Sequence, residues 1–162
     1  MARVELRDIV TDADRSAAKL LDVRPDQESF VASVEQSFAD AIRDARACPR
    51  FWIVQADGEI VGFVMISDGI PADRLASDAD LIGPYFLWRL LIDHRHQRKG
   101  YGTATLDAIV DYVRRRPGAD ALFTSAGQGV GTPQPFYERY GFVPTGDVVD
   151  DEVVLRLDLE GS

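Results

Sequence analysis

Between Leu90 and Thr103 the chain carries residues whose types and spacing could hold an anion. An apolar Leu90-Leu91-Ile92 is followed by Asp93-His94-Arg95-His96 and then by Gln97-Arg98-Lys99-Gly100-Tyr101-Gly102-Thr103, where a helical pattern opens. The first amides of a helix lack intrahelical partners and carry partial positive charge, so a phosphate can bind there. Gly100 and Gly102 remove side chains where such a group would approach backbone, and Arg98 and Lys99 add charge. The spacing is neither the Gly-x-x-x-x-Gly-Lys-Ser/Thr of nucleotide-triphosphate loops nor the Gly-x-Gly-x-x-Gly of dinucleotide folds. Taken alone, the glycines are equally compatible with simple strand-to-helix packing.

Other reactive side chains are scattered. Cys48 is the only cysteine, so an intrachain disulfide and a cysteine-based zinc site are excluded; it reads as a small side chain near a helix end. His94 and His96 sit in the same loop as the glycine turn with no further ligand cluster, so no metal site is expected. Asp93 stands at the strand-to-loop junction and suits a turn cap. The run Arg114-Arg115-Arg116 could mark an anion site, but cations suit a helix C-terminus and Pro117-Gly118 ends one.

The formal net charge is −9, from 27 acidic against 18 basic residues, which argues against a nucleic-acid partner and is compatible with a cationic one. No apolar run approaches the roughly 20 residues that span a bilayer, and Met1-Ala2-Arg3-Val4-Glu5 lacks a signal-peptide core. A cytoplasmic protein without a membrane partner is the expectation. At 162 residues, 46% hydrophobic and 28% charged, the chain fits one domain over residues 1–162.

The elements that must position the turn follow from periodicity. Val4 to Ile9 alternates as a half-buried strand, and Thr11 or Asp12 can cap a helix running into Leu20, Leu21 and Val23. Pro25 stops that segment; Phe30, Val34, Phe38, Ala41 and Ile42 recur at helical spacing in a second helix ending near Pro49. Phe51 to Val54 and Ile60 to Ile66 read as a hairpin about Asp57-Gly58. Residues 67–83 read as a long loop, and Tyr85 to Ile92 as a strand. The helix after the turn presents Leu106, Ile109, Val110 and Val113 on one face. Ala121 to Thr124 is a strand, Pro135 to Tyr140 a short helix, and residues 141–143 and 153–157 a closing strand pair. The expected fold is α/β, one mixed central sheet with helices on both faces.

Gln97-x-x-Gly100-x-Gly102 resembles the Gln/Arg-x-x-Gly-x-Gly/Ala signature of the GNAT acetyltransferase superfamily, and Phe136-Tyr137-Glu138-Arg139-Tyr140-Gly141-Phe142 is similar to its Phe-Tyr-x-x-x-Gly-Phe. The order of segments agrees from about residue 3 to 158. The resemblance implies an acetyl-CoA cosubstrate. Backbone at Leu90, Leu91 and Ile92 would hold the acetyl carbonyl and pantetheine in a gap between two parallel strands. Gln97, Arg98, Lys99, Gly100, Tyr101, Gly102 and Thr103 would cradle the pyrophosphate. Tyr137 matches the general acid that protonates the CoA thiolate. Two positions depart from the pattern: Gly129 to Pro135 lacks an asparagine usual there, and Arg98 stands where a glycine is frequent.

Trp88-Arg89-Leu90-Leu91-Ile92-Asp93, with Val23-x-Pro25-x-Gln27-x-x-Phe30-Val31, resembles bacterial spermine/spermidine acetyltransferases. That resemblance implies a small-molecule amine acceptor, a polyamine such as spermidine. Glu28, Tyr85 and Trp88 would bind it. Attack needs a neutral amine, and Asp26, Glu28, Glu35 and Asp93 are the candidate bases. Alternatives are a protein or peptide acceptor, and an acyl-CoA-binding module without turnover. A homodimer formed through the terminal strand, residues 151–157, remains open.

Overall fold

The computed structural model describes residues 2–27 and 31–159. Glu28 and Phe30 fall outside them, and so does the side chain of Asp26. Along the chain lie strand β1 (Glu5–Asp8), helices α1 (Asp12–Lys19) and α2 (Val34–Arg43), and strands β2 (Pro49–Ala56) and β3 (Glu59–Asp68). Then come helix α3 (Ala72–Ser77), strand β4 (Tyr85–Ile92), helix α4 (Tyr101–Arg114), strand β5 (Ala121–Ala126), helix α5 (Gln134–Tyr140), and strands β6 (Val143–Val149) and β7 (Glu152–Asp158).

The strands form one sheet in the order β1-β2-β3-β4-β5-β7-β6, with every neighbouring pair antiparallel except β4–β5. Period-two alternation sorts the side chains into two cores. Trp52, Val54, Val64 and Ile66 face α4, which contributes Leu106, Ile109, Val110 and Val113. Ile53, Phe63 and Met65 face the opposite way, against Ala18 of α1 and Leu21 just beyond it, and against Phe38 and Ala41 of α2. Each such side chain removed from water contributes about 1.5–3 kcal/mol, which fixes the register of both layers. The α/β expectation with helices on both faces therefore holds.

Local chemistry explains the boundaries. Thr11 caps α1 in a capping box with Asp14, and Ser33 caps α2 by accepting from the Gln36 amide. Ile42, expected on the buried face of α2, is 82% exposed. The segment expected as a plain loop over residues 67–83 instead holds α3, and β3 extends to Asp68. The arginine run ends α4, and Arg116 Nε pairs with Asp68 at 3.0 Å, tying the helix to β3. Strand β7 lies between β5 and β6, so both its edges are occupied; the free edge at that end belongs to β6. A two-fold pairing through residues 151–157 is therefore ruled out as a strand extension. No helix among the described residues is long and apolar enough to cross a membrane.

Candidate functional site

The site begins as a fork in the sheet. Parallel strands β4 and β5 pair only at Phe86↔Phe123 and Leu87↔Thr124, and beyond Leu87 they part. Two features open the fork. The register of β3 against β4 jumps from Met65↔Arg89 to Ile66↔Leu87, leaving Trp88 as an extra residue that bends β4. Thr124 Oγ1 donates to the Leu87 carbonyl at 3.0 Å and closes the last rung. Residues 88–92 thus have no strand partner on the β5 side, and their backbone on that edge is free to meet a ligand.

A cavity of about 500 Å³ runs from the fork to the glycine turn. Leu90 and Ile92 line its inner end, with Gln97, Arg98, Gly100, Tyr101, Gly102 and Thr103 at its outer end. Eight of the ten residues expected to hold the cofactor are thereby brought together. Leu91 is not among them, because alternation along β4 buries its side chain in the opposite core. Lys99 is exposed and does not line the cavity.

The turn's glycines have reasons of their own. Gly100, at φ 82°, is the residue before α4 and occupies left-handed backbone. A Cβ on Gly102 would stand 3.2 Å from Phe136 Cζ, so its absence lets α5 approach α4. Gln97 Nε2 donates to the Ile92 carbonyl and to Gln27 Oε1, each at 2.9 Å, so its side chain braces the turn against β4. Arg98, expected merely to add charge, sits at φ 63°, in the region that favours glycine.

Tyr137 lies where the strands part. It is 6% exposed, its ring packs against Phe136 and Phe142 at 5.5 Å each, and its phenol meets Thr124 at the closing rung. Burial raises the phenol pKa to about 12, Thr124 opposes the rise, and the negative charge of Glu152 adds to it. The group therefore carries its proton at any physiological pH.

A second cavity, of about 430 Å³, opens on the other side of the fork and shares Val31, Leu90, Pro133 and Tyr137 with the first. Trp88 and Ser125 line it, as do three carboxylates, Asp80, Asp150 and Glu152. Arg89 also reaches it, but its Nη2 is paired with Asp40 at 2.8 Å. The two cavities differ in charge. Arg24, Arg98 and Arg139 stand at the first, and carboxylates dominate the second. Arg139, Asp80, Asp150, Glu152 and Ser125 were not singled out from the sequence. Only Arg139 had a signal there, its place two residues after Tyr137 in the helix motif.

Other expected residues fall elsewhere. Tyr85 is 1% exposed and its hydroxyl donates to the Pro117 carbonyl at 2.6 Å, so it is a core residue that lines neither cavity. Glu35 lines neither. Asp93 is fully buried and accepts hydrogen bonds from Arg95 Nε at 2.7 Å and from the Asp22 amide at 3.0 Å. Burial alone would raise its pKa, but these bonds outweigh burial and hold it at about 2. It is a structural cap rather than a base. Half-buried His96 borders the first cavity while His94 is exposed, and no group of three or more potential metal ligands occurs among the described residues.

Residues 17–142 match the sequence pattern of the acetyltransferase (GNAT) family. The chain is 27% identical over 141 residues to the spermine/spermidine N(1)-acetyltransferase of Bacillus subtilis, covering 86% of this chain and 88% of that protein. Among solved structures, an acetyltransferase from Thermus thermophilus superposes with a TM-score of 0.69 at 20% identity, covering 98% of this chain and 99% of that one. PaiA N-acetyltransferase from Thermoplasma acidophilum, solved with coenzyme A, gives 0.61 at 17% identity, with 96% and 98% covered.

Proposed function

The chain belongs to the acetyltransferase (GNAT) family, whose acyl donor is acetyl-CoA, and on that premise we propose that it acetylates a primary amine of a small polycation, a polyamine such as spermidine. The observation that carries this reading is the position of Tyr137 between a cavity flanked by arginines and one flanked by carboxylates. A donor with a pyrophosphate suits the first, and a cationic chain suits the second. The similarity to a spermine/spermidine acetyltransferase supports the same acceptor class.

In this reading the pyrophosphate rests on the N-terminal amides of α4, with Arg98 beside it. The pantetheine arm enters the fork along the unpaired edge of residues 88–92. A backbone amide of that edge, aimed at the acetyl oxygen, would stabilise the tetrahedral oxyanion. The amine approaches from the acidic cavity, where Trp88 offers an aromatic wall to a cation. Tyr137 faces the leaving sulfur and supplies its proton. The burial that raises the phenol pKa raises that of a thiol enclosed beside it in the same direction. Asp80 and Ile82, from the segment after α3, wall the acceptor side, an enclosure suited to a small molecule rather than a folded protein.

The test is steady-state thiol release from acetyl-CoA with a matched panel of polyamines, amino acids, aminoglycosides and peptides. Polyamines should give the highest kcat/KM. Preference for a peptide or an amino acid would reject the acceptor class, and donor binding without turnover of any amine would reject the reaction.

A further inference from the structure

The attacking amine must lose a proton; of the acids weighed from the sequence, Glu28 and the Asp26 side chain lie outside the described residues, and neither of the other two supplies the acceptor. Asp93 is committed to Arg95 and backbone amides, and Glu35 lines neither cavity. A different carboxylate stands at the junction. Glu152 opens β7, and its Oε1 accepts a hydrogen bond of 2.7 Å from Ser125 Oγ on β5. Alternation along β5 turns Thr124 towards the Tyr137 face of the sheet and Ser125 towards the other. The fork joins those faces, so Glu152 and the Tyr137 phenol border one cavity although they rise from opposite sides.

We propose that Glu152 is the proton acceptor of the transfer and Ser125 the residue that positions it; this rests on the amine-acetylation reading above. The bound ammonium gives a proton to the Glu152 carboxylate directly or through water, and the lone pair so freed bonds to the acetyl carbonyl carbon. The C–S bond breaks, its electron pair goes to sulfur, and sulfur takes the Tyr137 proton. Glu152 then releases its proton to solvent through the cavity mouth and Tyr137 regains one from the second N–H of the acylated nitrogen, so both return to their starting states. The second N–H proton leaves after bond formation, because nitrogen becomes far more acidic once it carries the acyl carbon.

The surroundings suit this role. Asp80 and Asp150 lend negative potential that draws an ammonium to the same place. Arg89, the only cation at this cavity among the described residues, is neutralised by Asp40. Tyr137 is uncharged until strongly alkaline pH, and the charge of Glu152 helps keep it so.

The experiment is the pH profile of thiol release with acetyl-CoA and spermidine over about pH 6–9, for wild type, Glu152→Gln, Glu152→Asp and Ser125→Ala, alongside acetyl-CoA affinity by calorimetry. In the wild type kcat should be nearly flat, since the proton is taken within the site. Glu152→Gln should lower kcat about 10²-fold near neutrality and make it rise about tenfold per pH unit as free amine becomes available, with unchanged acetyl-CoA affinity. Glu152→Asp should recover part of the rate with a flat profile, and Ser125→Ala should lose several-fold in kcat without the steep slope. A Glu152→Gln variant with wild-type kcat and a flat profile overturns the assignment, as does one changed only in KM for the amine. Both results leave amine acetylation standing, whereas a wild-type protein that turns over no amine removes the underlying reading itself.

Discussion

Replacing Tyr137 by Phe isolates one hydroxyl at the fork. The ring contacts with Phe136 and Phe142, at 5.5 Å each, survive the change. The Thr124 hydroxyl keeps its bond to the Leu87 carbonyl at 3.0 Å, so the folded state should change by no more than about 1 kcal/mol. The rate should change far more. A positioned proton donor contributes about 10²–10⁴ in rate, equivalent to about 3–5 kcal/mol of barrier. Acetyl-CoA affinity should stay within a few-fold, because in the proposed reaction the phenol acts at the sulfur rather than at the pyrophosphate.

Alkaline stability gives an independent check on the same group. The phenol pKa rises from 10.0 to about 12 on folding. A raised folded-state value contributes stability that is complete below pH 10 and is lost as pH climbs towards 12. At about 1.4 kcal/mol per pH unit the loss amounts to about 3 kcal/mol, and the Phe variant should escape it. Stopped-time thiol release at saturating substrates measures the first effect, and denaturant melts at rising pH measure the second. A variant within about threefold of wild-type kcat would refute the proton-donor role, and an unchanged alkaline loss would refute the buried-phenol account.

Asp93→Asn should cost about 2 kcal/mol at neutral pH, read as a lower urea midpoint, since Asp93 is held at about 2 by Arg95 and backbone amides. That contribution is present above the ordinary carboxylate value and should disappear as pH falls towards 2, so equal midpoints at neutral pH would contradict it. Arg98→Gly should raise stability by about 1 kcal/mol, because φ 63° strains a residue bearing Cβ, while raising KM for acetyl-CoA through loss of a charge; a lower melting temperature would contradict this. Arg139→Ala should raise KM for acetyl-CoA several-fold with kcat unchanged, and added salt should narrow the gap from wild type if the contact is electrostatic. An unchanged KM would remove Arg139 from the donor site.

Features set by local backbone needs were legible in the sequence. The strand, glycine turn and helix around Gly100 read directly, because a left-handed residue and a helix N-terminus leave residue-type signatures. Tyr137 was legible through the spacing of its motif. The carboxylate-lined cavity was not. Asp80 follows α3, and Asp150 and Glu152 follow β6; they converge only because β7 inserts between β5 and β6. Tyr85 and Trp88 look alike in a strand pattern, yet the extra residue in β4 leaves Trp88 at the cavity while Tyr85 stays in the core. Helix α3 escaped notice because Gly69 and Pro71 precede it and none of its six residues is buried, which leaves no apolar period to read. The strain at Arg98 does not show in its own residue type, and its one signal was that a glycine is frequent at that place in the resembled pattern.

The most direct measurement is product analysis by mass spectrometry after incubating the wild-type protein with acetyl-CoA and spermidine. N-acetylspermidine and free CoA should accumulate in equal amounts, and both should fall sharply with the Tyr137→Phe variant. Acetyl-CoA that binds but is neither consumed nor transferred to any amine would contradict the account of a fork where a basic donor cavity meets an acidic acceptor cavity at Tyr137.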